Sequence, residues 1–359
     1  MYWDLVFILQ ANDQRLADAK AYLQSLPKMV HSTATNVDSI VDAEQYSLVI
    51  TVITMSRGQN MTTKDQQMYN LGYLSQTVAR LLQIINTDST ASFQHVKLFI
   101  CNVDTQPKRF AEALDLSGHV QIVSRYQNTT AKLTTNLHEK EKDDYVYCLH
   151  AASQFTSPYY LVLEDDVLLD VNAVESVYFV MNYFDLFSAT DWLFLKLYYP
   201  QKWSGYGRNV RTVVELISYS LLSGFLCASV IWLMPRCCKC RVMPVWFWFA
   251  VGVGFAPLLC VCIGRQYVES WRHYFSSTHQ LVAAPGCCTQ ATLYPALVIS
   301  DLCAHLAHVR SHAKFPVDIA VDSFAHIHGL KRYLIEPNVV KHIGLISSLS
   351  KSPSAKFFL

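Results

Sequence analysis

Three adjacent acids end an apolar run of strand character in the stretch YYLVLEDDV, residues 159–167. Glu164, Asp165 and Asp166 would repel one another, and a bound divalent cation relieves such repulsion. Their hard oxygen atoms favour magnesium or manganese, which commonly bind one or two carboxylates together with the phosphates of a substrate. The stretch therefore predicts a metal site for a nucleotide diphosphate, with a solvated turn at the end of a strand as the alternative.

Strands and helices that could position these acids alternate along the first 200 residues. Runs of β-branched and aromatic residues predict strands at 47–55, 95–103, 120–126, 159–167 and 191–199. Apolar periodicity predicts a helix at 64–86, and a second candidate spans 139–155. Strands separated by helices predict an α/β fold with a mostly parallel sheet, in which ligands bind at the carboxyl ends of strands.

The last 80 residues continue the pattern. We predict short helices in TLYPALVISDLCAHLAHVR at 292–310 and VDIAVDSFAHIHG at 317–329. A strand is predicted in KRYLIEP at 331–337, before the terminal segment NVVKHIGLISSL.

Two uncharged apolar segments, 216–234 and 242–264, interrupt this pattern. As helices each would be about 28 to 35 Å long, enough to cross a hydrocarbon core. Two buried core helices are the alternative, but tandem apolar runs of this length favour a membrane hairpin. The connection at 235–241, PRCCKCR, carries three basic residues and no acid, which places it in the cytosol and both flanks in the lumen.

The predicted organisation is therefore a catalytic domain in two parts, 1–212 and 269–359, around a hairpin at 213–268. The glycosylation sequons at Asn60 and Asn128 fit a lumenal location. Because YWDLVFILQAND is too short for a signal anchor, we expect an apolar segment upstream of Met1.

Composition and missing motifs exclude several function classes. A formal net charge of +1, without a basic stripe, argues against nucleic-acid binding. No GxxxxGK[ST], GxGxxG after a strand, or GxSxG occurs, so P-loop, dinucleotide and serine-hydrolase chemistry lack support. A metal-assisted nucleotide-sugar transferase or a metal-dependent phosphohydrolase remains. A lumenal scaffold or transporter subunit is the non-enzymatic alternative, though uncharged helices disfavour a transport path.

Several sequence blocks resemble one family, the Golgi transferases that add N-acetylgalactosamine to glycosylphosphatidylinositol (GPI) anchors on proteins. These blocks are EKEKDDYVYCL (139–149), YLVLEDDV (160–167), LFLKLYYP (193–200), CCTQATLYP (287–295) and EPNVVKHIGLISSL (336–349). The resemblance implies a GT-A fold interrupted by a transmembrane hairpin, in the same order as here. The N-glycan β1,4 N-acetylglucosaminyltransferases are similar around EDD and HIG but are not expected to carry the hairpin.

The resemblance also implies a reaction. UDP-N-acetylgalactosamine would be the donor, manganese the cofactor, and the first mannose of the anchor glycan on GPI-anchored proteins the acceptor. An α-linked donor and a β-linked product imply a single inverting displacement. The enzyme would be a multi-pass protein of the Golgi membrane with a lumenal catalytic domain, held close to the bilayer that carries its acceptor.

The family motifs assign roles to the acids and to one histidine. Glu164-Asp165-Asp166 corresponds to the DxD-like motif, with Asp166 on the metal, Asp165 nearby, and Glu164 on the ribose or a neighbouring base. His342, in VVKHIG, is expected to bind the same metal or the diphosphate; a surface histidine, or a core histidine with satisfied hydrogen bonds, is the alternative.

An inverting transfer also needs a general base for the acceptor hydroxyl. Asp318, in FPVDIAVDSF, matches a family aspartate and is the first candidate, with Asp322 second. A helix N-cap is the alternative role for Asp318. Lys196 and Tyr198 alternate with apolar residues and face either a cleft or solvent.

The lumenal cysteines could form disulfides. Cys101 could pair with Cys148, and Cys287 or Cys288 with another lumenal cysteine, but connectivity does not follow from sequence.

Overall fold

The structure is a computed structural model that describes residues 2–28, 44–56, 71–87, 95–126, 136–171, 173–186, 190–200, 205–207, 209–233, 243–270 and 279–345. Asn60, Asn128 and the loop 235–241 lie outside the described residues. The chain divides into two compact units: one comprises 1–198 and 281–359, and the other 199–280.

The first unit contains strands and helices in alternation. Its strands are β1 Leu48–Thr54, β2 Val96–Asn102, β3 Gln121–Ser124, β4 Tyr159–Glu164, β5 Val167–Leu169, β6 Trp192–Lys196, β7 Gln280–Ala283 (whose first residue belongs to the other unit), β8 Ala291–Pro295, β9 Lys331–Glu336 and β10 Val340–His342. Its helices are α1 Tyr2–Ser25, α2 Tyr73–Thr87, α3 Ala111–Leu116, α4 Leu137–Ala152, α5 Ala173–Leu186, α9 Ala296–His308 and α10 Val317–His328. The labels α6 to α8 are kept for the helices of the second unit, which are described below.

An eight-stranded sheet in the order β3-β2-β1-β4-β8-β6-β9-β7 forms the centre of this unit. β3, β2, β1 and β4 are mutually parallel, as are β6 and β9, whereas β8 runs antiparallel to both β4 and β6. The predicted α/β fold with a mostly parallel sheet is confirmed. β1 and β4 are buried along almost their whole length, as expected for central strands covered on both faces.

One predicted helix is wrong at its start. Residues 292–310 were expected to be helical, but Ala291–Pro295 form β8 and the helix α9 begins only at Ala296. The five-residue segment ATLYP is too short to show a decisive period, and β8 satisfies its backbone by pairing with β4 and β6. Pro295 then occupies the helix N-cap. Similarly, the strand predicted at 159–167 breaks at the acids, with β5 resuming at Val167.

An apolar cluster and one disulfide join the sheet to neighbouring helices. Leu48, Ile50 and Val52 of β1 are completely buried in the same apolar cluster as residues of α2. Cys101 of β2 and Cys148 of α4 form a disulfide, with Cα atoms 5.8 Å apart, which is one of the pairings that the sequence left open. This bond ties α4, which carries cleft residues described below, to the sheet.

The second unit contains α6 Val210–Leu233, α7 Val245–Ile263 and α8 Arg265–Ser270. By length and composition, α6 and α7 could each cross a membrane, with mean hydropathies of 1.9 and 2.1. They coincide with the two predicted apolar segments, while the domain limits at 212 and 269 stay a prediction.

Glycines allow these two helices to approach closely. A Cβ atom on Gly252 would lie 2.7 Å from the carbonyl oxygen of Ser223, and one on Gly224 would lie 2.7 Å from the side chain of Val253. Small residues at the contact are typical of packing between apolar helices. Near one end of the pair, Arg265 is buried and binds Glu215 through Nε and Nη2 at 2.7 and 3.1 Å.

Candidate active site

The acidic turn at the end of β4 is buried rather than solvated. Asp165 and Asp166 are 4% and 1% exposed. Asp165 Oδ2 accepts a hydrogen bond of 2.7 Å from the Thr54 hydroxyl, at the end of the adjacent strand β1. The Thr77 hydroxyl of α2 reaches the backbone oxygen atoms of Asp165 and Val167, at 2.7 and 2.9 Å. A buried, anchored carboxylate pair requires compensation that a plain surface turn does not.

His342 meets the acids through a small second sheet. β10 pairs antiparallel with β5, so that His342 lies opposite Val167. His342 Nε2 is 3.2 Å from Asp166 Oδ2, and the Ile343 N–H donates to the Asp166 backbone oxygen at 2.8 Å. The Tyr198 ring stacks on the imidazole, with centroids 5.7 Å apart. The structure therefore brings Asp166, His342 and Tyr198 together.

Gly344 keeps this meeting point open, and sequence reasoning did not single it out. A Cβ atom there would lie 2.1 Å from Asp166 Oδ2 and 2.8 Å from His342 Nε2. Only glycine leaves room for the carboxylate and the imidazole to face each other. The signal was present in the triplet His342-Ile343-Gly344, where glycine follows the candidate ligand by two positions.

The two candidate bases lie on α10 and have different partners. Asp318 is in the first turn, where the N-cap position is held by Pro316. Its Oδ2 accepts the backbone N–H of Cys288 at 2.9 Å, so its contact is with a distant loop. Asp322 forms an ion pair with Arg332, and a Cβ atom on Gly286 would lie 2.5 Å from its carboxylate.

A buried lysine holds the loop that meets Asp318. Lys196 of β6 is 4% exposed, and its ammonium group donates to the backbone oxygen atoms of Pro285, at 3.0 Å, and of Cys287. Burial lowers the pKa of Lys196. Because the same loop gives the Cys288 N–H to Asp318, Lys196 and Asp318 fix it from two sides.

A cleft that is partly open to solvent lies beside the acidic turn. Its lining includes Thr54, Val103, Glu141, Glu164, Asp165 and Val317. Burial, followed by repulsion from Asp318 and Asp144, raises the pKa of Glu141 to about 7. Glu141 belongs to the block EKEKDDYVYCL, but sequence reasoning assigned it no role, because its burial and the approach of Asp318 depend on tertiary packing.

A family model described as GPI-N-acetylgalactosamine transferase PGAP4 matches residues 48–341, which is most of the chain. The chain belongs to the GPI-N-acetylgalactosamine transferase PGAP4 family. The resemblance seen in the sequence is thereby confirmed, and the chain is a glycosyltransferase at the level of this family. The match includes the acidic turn, both apolar helices and α10, and ends one residue before His342.

Two solved structures are similar at low level. One is a CMP:2-keto-3-deoxy-manno-octonic acid synthetase complexed with CTP, at 7% identity and a TM-score of 0.34, covering 80% of this chain and 88% of that chain. The other is mouse xyloside xylosyltransferase 1 in its apo form, at 10% identity and a TM-score of 0.33, covering 81% and 85%. Similarity this weak determines no function.

The donor atoms of this PGAP4 family member suit a metal ion shared with a substrate. Among the described residues, no three His, Cys, Asp or Glu side chains are grouped so as to hold a metal by themselves. Asp166 Oδ2 and His342 Nε2 supply one carboxylate and one imidazole, facing each other across Gly344. Magnesium and similar ions are commonly held by one or two carboxylates plus substrate phosphates, which fits Asp166. The neutral imidazole of histidine is itself a common metal ligand, so His342 also fits a metal at this place.

Proposed function

We propose that the chain transfers N-acetylgalactosamine from UDP-N-acetylgalactosamine to the first mannose of the GPI-anchor glycan on GPI-anchored proteins. The product would be β-linked and formed by a single inverting displacement. Family membership supports the transfer of this sugar to GPI glycans. One observation supports the proposal at the level of particular atoms: Asp166 Oδ2 and His342 Nε2 are 3.2 Å apart at the carboxyl end of β4.

The residues at the acidic turn would bind the donor diphosphate together with a divalent cation, most simply manganese. When bound, the cation would offset the negative charge that develops on the leaving diphosphate. Asp166 and His342 would hold it, and Asp165, oriented by the Thr54 hydroxyl, would lie near it. Glu164, which lines the cleft, is proposed to meet the ribose.

Asp318 is proposed as the general base that accepts the proton of the attacking mannose hydroxyl. The Cys288 N–H orients its carboxylate, and a base must lie within hydrogen-bond reach of the proton that it removes. Asp322 is second, because its carboxylate is already engaged by Arg332.

The apolar helices α6 and α7 are proposed to cross the Golgi membrane, with the catalytic unit in the lumen. Anchoring the enzyme in the bilayer that carries the lipid of its acceptor would raise the local acceptor concentration without new contacts to the sugar. Replacing 213–272 by a soluble linker should therefore spare donor hydrolysis and impair transfer to membrane-bound anchors. Equal transfer by both forms would refute this role.

A donor panel tests the whole proposal. Purified full-length chain, with manganese or with chelator, is incubated with UDP-N-acetylgalactosamine or UDP-N-acetylglucosamine, with and without a GPI-glycan acceptor. UDP release and sugar transfer are then measured. We expect manganese-dependent transfer of N-acetylgalactosamine, reduced at least about 100-fold in Asp166→Ala and unchanged in Asp301→Asn, an exposed carboxylate of α9.

The alternatives give different results in the same panel. A metal-dependent phosphohydrolase would consume UDP-sugar equally without acceptor. An N-glycan-type β1,4 N-acetylglucosaminyltransferase would prefer UDP-N-acetylglucosamine and an N-glycan acceptor. A non-catalytic lumenal protein would release no UDP under any condition.

A further inference from the structure

Two adjacent cysteines bring their sulfur atoms together in the loop between β7 and β8. The Sγ atoms of Cys287 and Cys288 are 2.8 Å apart. Neighbouring side chains in an extended chain point to opposite faces, so two sequential sulfur atoms meet only where the backbone turns. Cys288 supplies that turn, with a φ of 71° in the left-handed region, which is uncommon for residues other than glycine.

The surrounding structure holds this unfavourable turn in place. The Cys287 N–H donates to the backbone oxygen of Pro285 at 3.0 Å, and the Cys287 backbone oxygen accepts from Lys196. The Cys288 N–H donates to Asp318 at 2.9 Å. Strained backbone persists where neighbouring contacts over-determine it, and such positions cluster at functional sites.

The environment of the pair favours oxidation. Cys101 and Cys148 of the same unit form a disulfide, and such bonds are characteristic of oxidising compartments. Both Cys287 and Cys288 are partly exposed. Burial raises the pKa of the Cys303 thiol to about 11, and the Cys287 hydrogen bond together with burial also raises the pKa of Cys288. What distinguishes the pair from Cys303 is therefore the contact between its two sulfur atoms.

We propose that Cys287 and Cys288 are a redox pair that closes to a vicinal disulfide. Adjacent residues place their Cα atoms about 3.8 Å apart, below the usual range for disulfides, which makes the bond readily reduced. Closure would lock the loop that gives its N–H to Asp318. This last consequence rests on the proposed function; the oxidation itself does not.

The oxidant is a disulfide of low molecular mass, such as oxidised glutathione. Because Cys288 donates its S–H to the Cys287 sulfur, Cys287 is the attacking group. Its thiolate attacks the glutathione disulfide, forming a mixed disulfide and releasing one glutathione thiolate, which takes the Cys288 proton. The Cys288 sulfur then attacks Cys287 Sγ and releases the second glutathione, which takes the proton first lost by Cys287. Two electrons and two protons therefore pass from the pair to oxidised glutathione, which becomes two molecules of reduced glutathione.

Thiol mapping of the wild-type chain tests the pair without any activity assay. Full-length protein, purified in detergent without reductant, is denatured, alkylated with N-ethylmaleimide, digested and analysed by mass spectrometry. After equilibration with oxidised glutathione, we expect the peptide with both cysteines to be unlabelled and lighter by two hydrogen atoms. Reduced glutathione should open this pair at a ratio that leaves Cys101–Cys148 closed, and the opened pair should bind phenylarsine oxide, which needs two neighbouring thiols.

Two outcomes would overturn the proposal. One is labelling of both thiols after the oxidising treatment; the other is a disulfide-linked peptide that joins either cysteine to Cys303. A Cys303→Ser chain, in which the vicinal bond should still form, confirms the assignment independently. Because these readouts count thiols, their failure is distinct from a failure of sugar transfer in the donor panel.

Discussion

The acidic site and the α6–α7 hairpin depend on different kinds of contact. Contacts between residues far apart in sequence form the site, whereas contacts between consecutive helices form the hairpin. At the site, β10 reaches β5, and the Leu345 N–H donates to the Tyr73 hydroxyl at 2.6 Å across 272 positions of sequence. In the hairpin, Gly224 of α6 meets Gly252 of the very next helix. The hairpin is therefore a local arrangement, whereas the site exists only after distant segments have folded onto one sheet.

This difference predicts different sensitivities. A substitution at the site should lower the rate of sugar transfer, because the side chains there converge on a few atoms. It should change the free energy of unfolding only a little. A change in the hairpin should act on helix packing and leave the chemical step intact. Four tests address this contrast, from the largest expected effect to the smallest.

The largest effect is expected from the two aspartates of α10. Asp318→Asn should lower sugar transfer by at least about 100-fold while leaving UDP-sugar binding unchanged, because the amide cannot take the hydroxyl proton. Asp322→Asn removes a partly exposed ion pair with Arg332 and should cost less than about 1 kcal/mol of stability, with transfer retained. Turnover and donor affinity are measured for both. The reverse pattern would assign the base to Asp322.

Gly344→Ala tests whether the open space at the acids matters. The new Cβ would lie 2.1 Å from Asp166 Oδ2, so the carboxylate and His342 must separate. We expect about a 10- to 100-fold loss of transfer and a raised manganese requirement. Gly118→Ala is the matched control, because its Cβ would make only ordinary contacts with Lys28, the nearest at 3.5 Å. Unchanged manganese dependence in Gly344→Ala would argue against an ion at this position.

Gly252→Ala tests the hairpin. The Cβ would lie 2.7 Å from the Ser223 carbonyl oxygen, forcing α6 and α7 apart at a cost of about 1 to 3 kcal/mol. The thermal unfolding midpoint of the full chain in detergent, followed by tryptophan fluorescence, should fall by several degrees. Gly254→Ala, two residues along α7, has nothing within 4 Å of its Cβ and should keep or raise the midpoint. Equal midpoints for the two variants would mean that glycine packing does not hold the hairpin.

The smallest effect is a pH dependence at Glu141. Burial, then Asp318 and Asp144, raises its pKa from 4.5 to about 7, so between these values the folded chain keeps a proton that the unfolded chain has lost. Stability should therefore fall as the pH rises through this window. Glu141→Gln, which is neutral throughout, should gain over the wild type from pH 4.5 to pH 7, by about 1 kcal/mol after allowance for solvent screening. Denaturant unfolding measures this gain, and Asp301→Asn should show none.

The acids, the strand before them and the two apolar helices could be predicted from the sequence, because each is a contiguous pattern. Sequence reasoning failed at β8, a five-residue segment that is too short to show a period and that becomes a strand only by pairing with β4 and β6. It also passed over Gly344 and Glu141, whose importance depends on neighbours from other elements. The roles of Asp166, His342 and Asp318 stay predictions, now with defined geometry.

The sequence by itself determined the α/β pattern, the two long apolar helices and the resemblance to the PGAP4 family, since periodicity and motif order are written along the chain. Only the tertiary structure decided that Asp166 and His342 meet beside Gly344 and that Asp318 binds the Cys288 N–H. The contact between the sulfur atoms of Cys287 and Cys288 is likewise visible only in the structure. The reason is physical. Local backbone preferences act over a few residues, whereas the distances between site atoms are set by how distant strands and helices pack on one sheet.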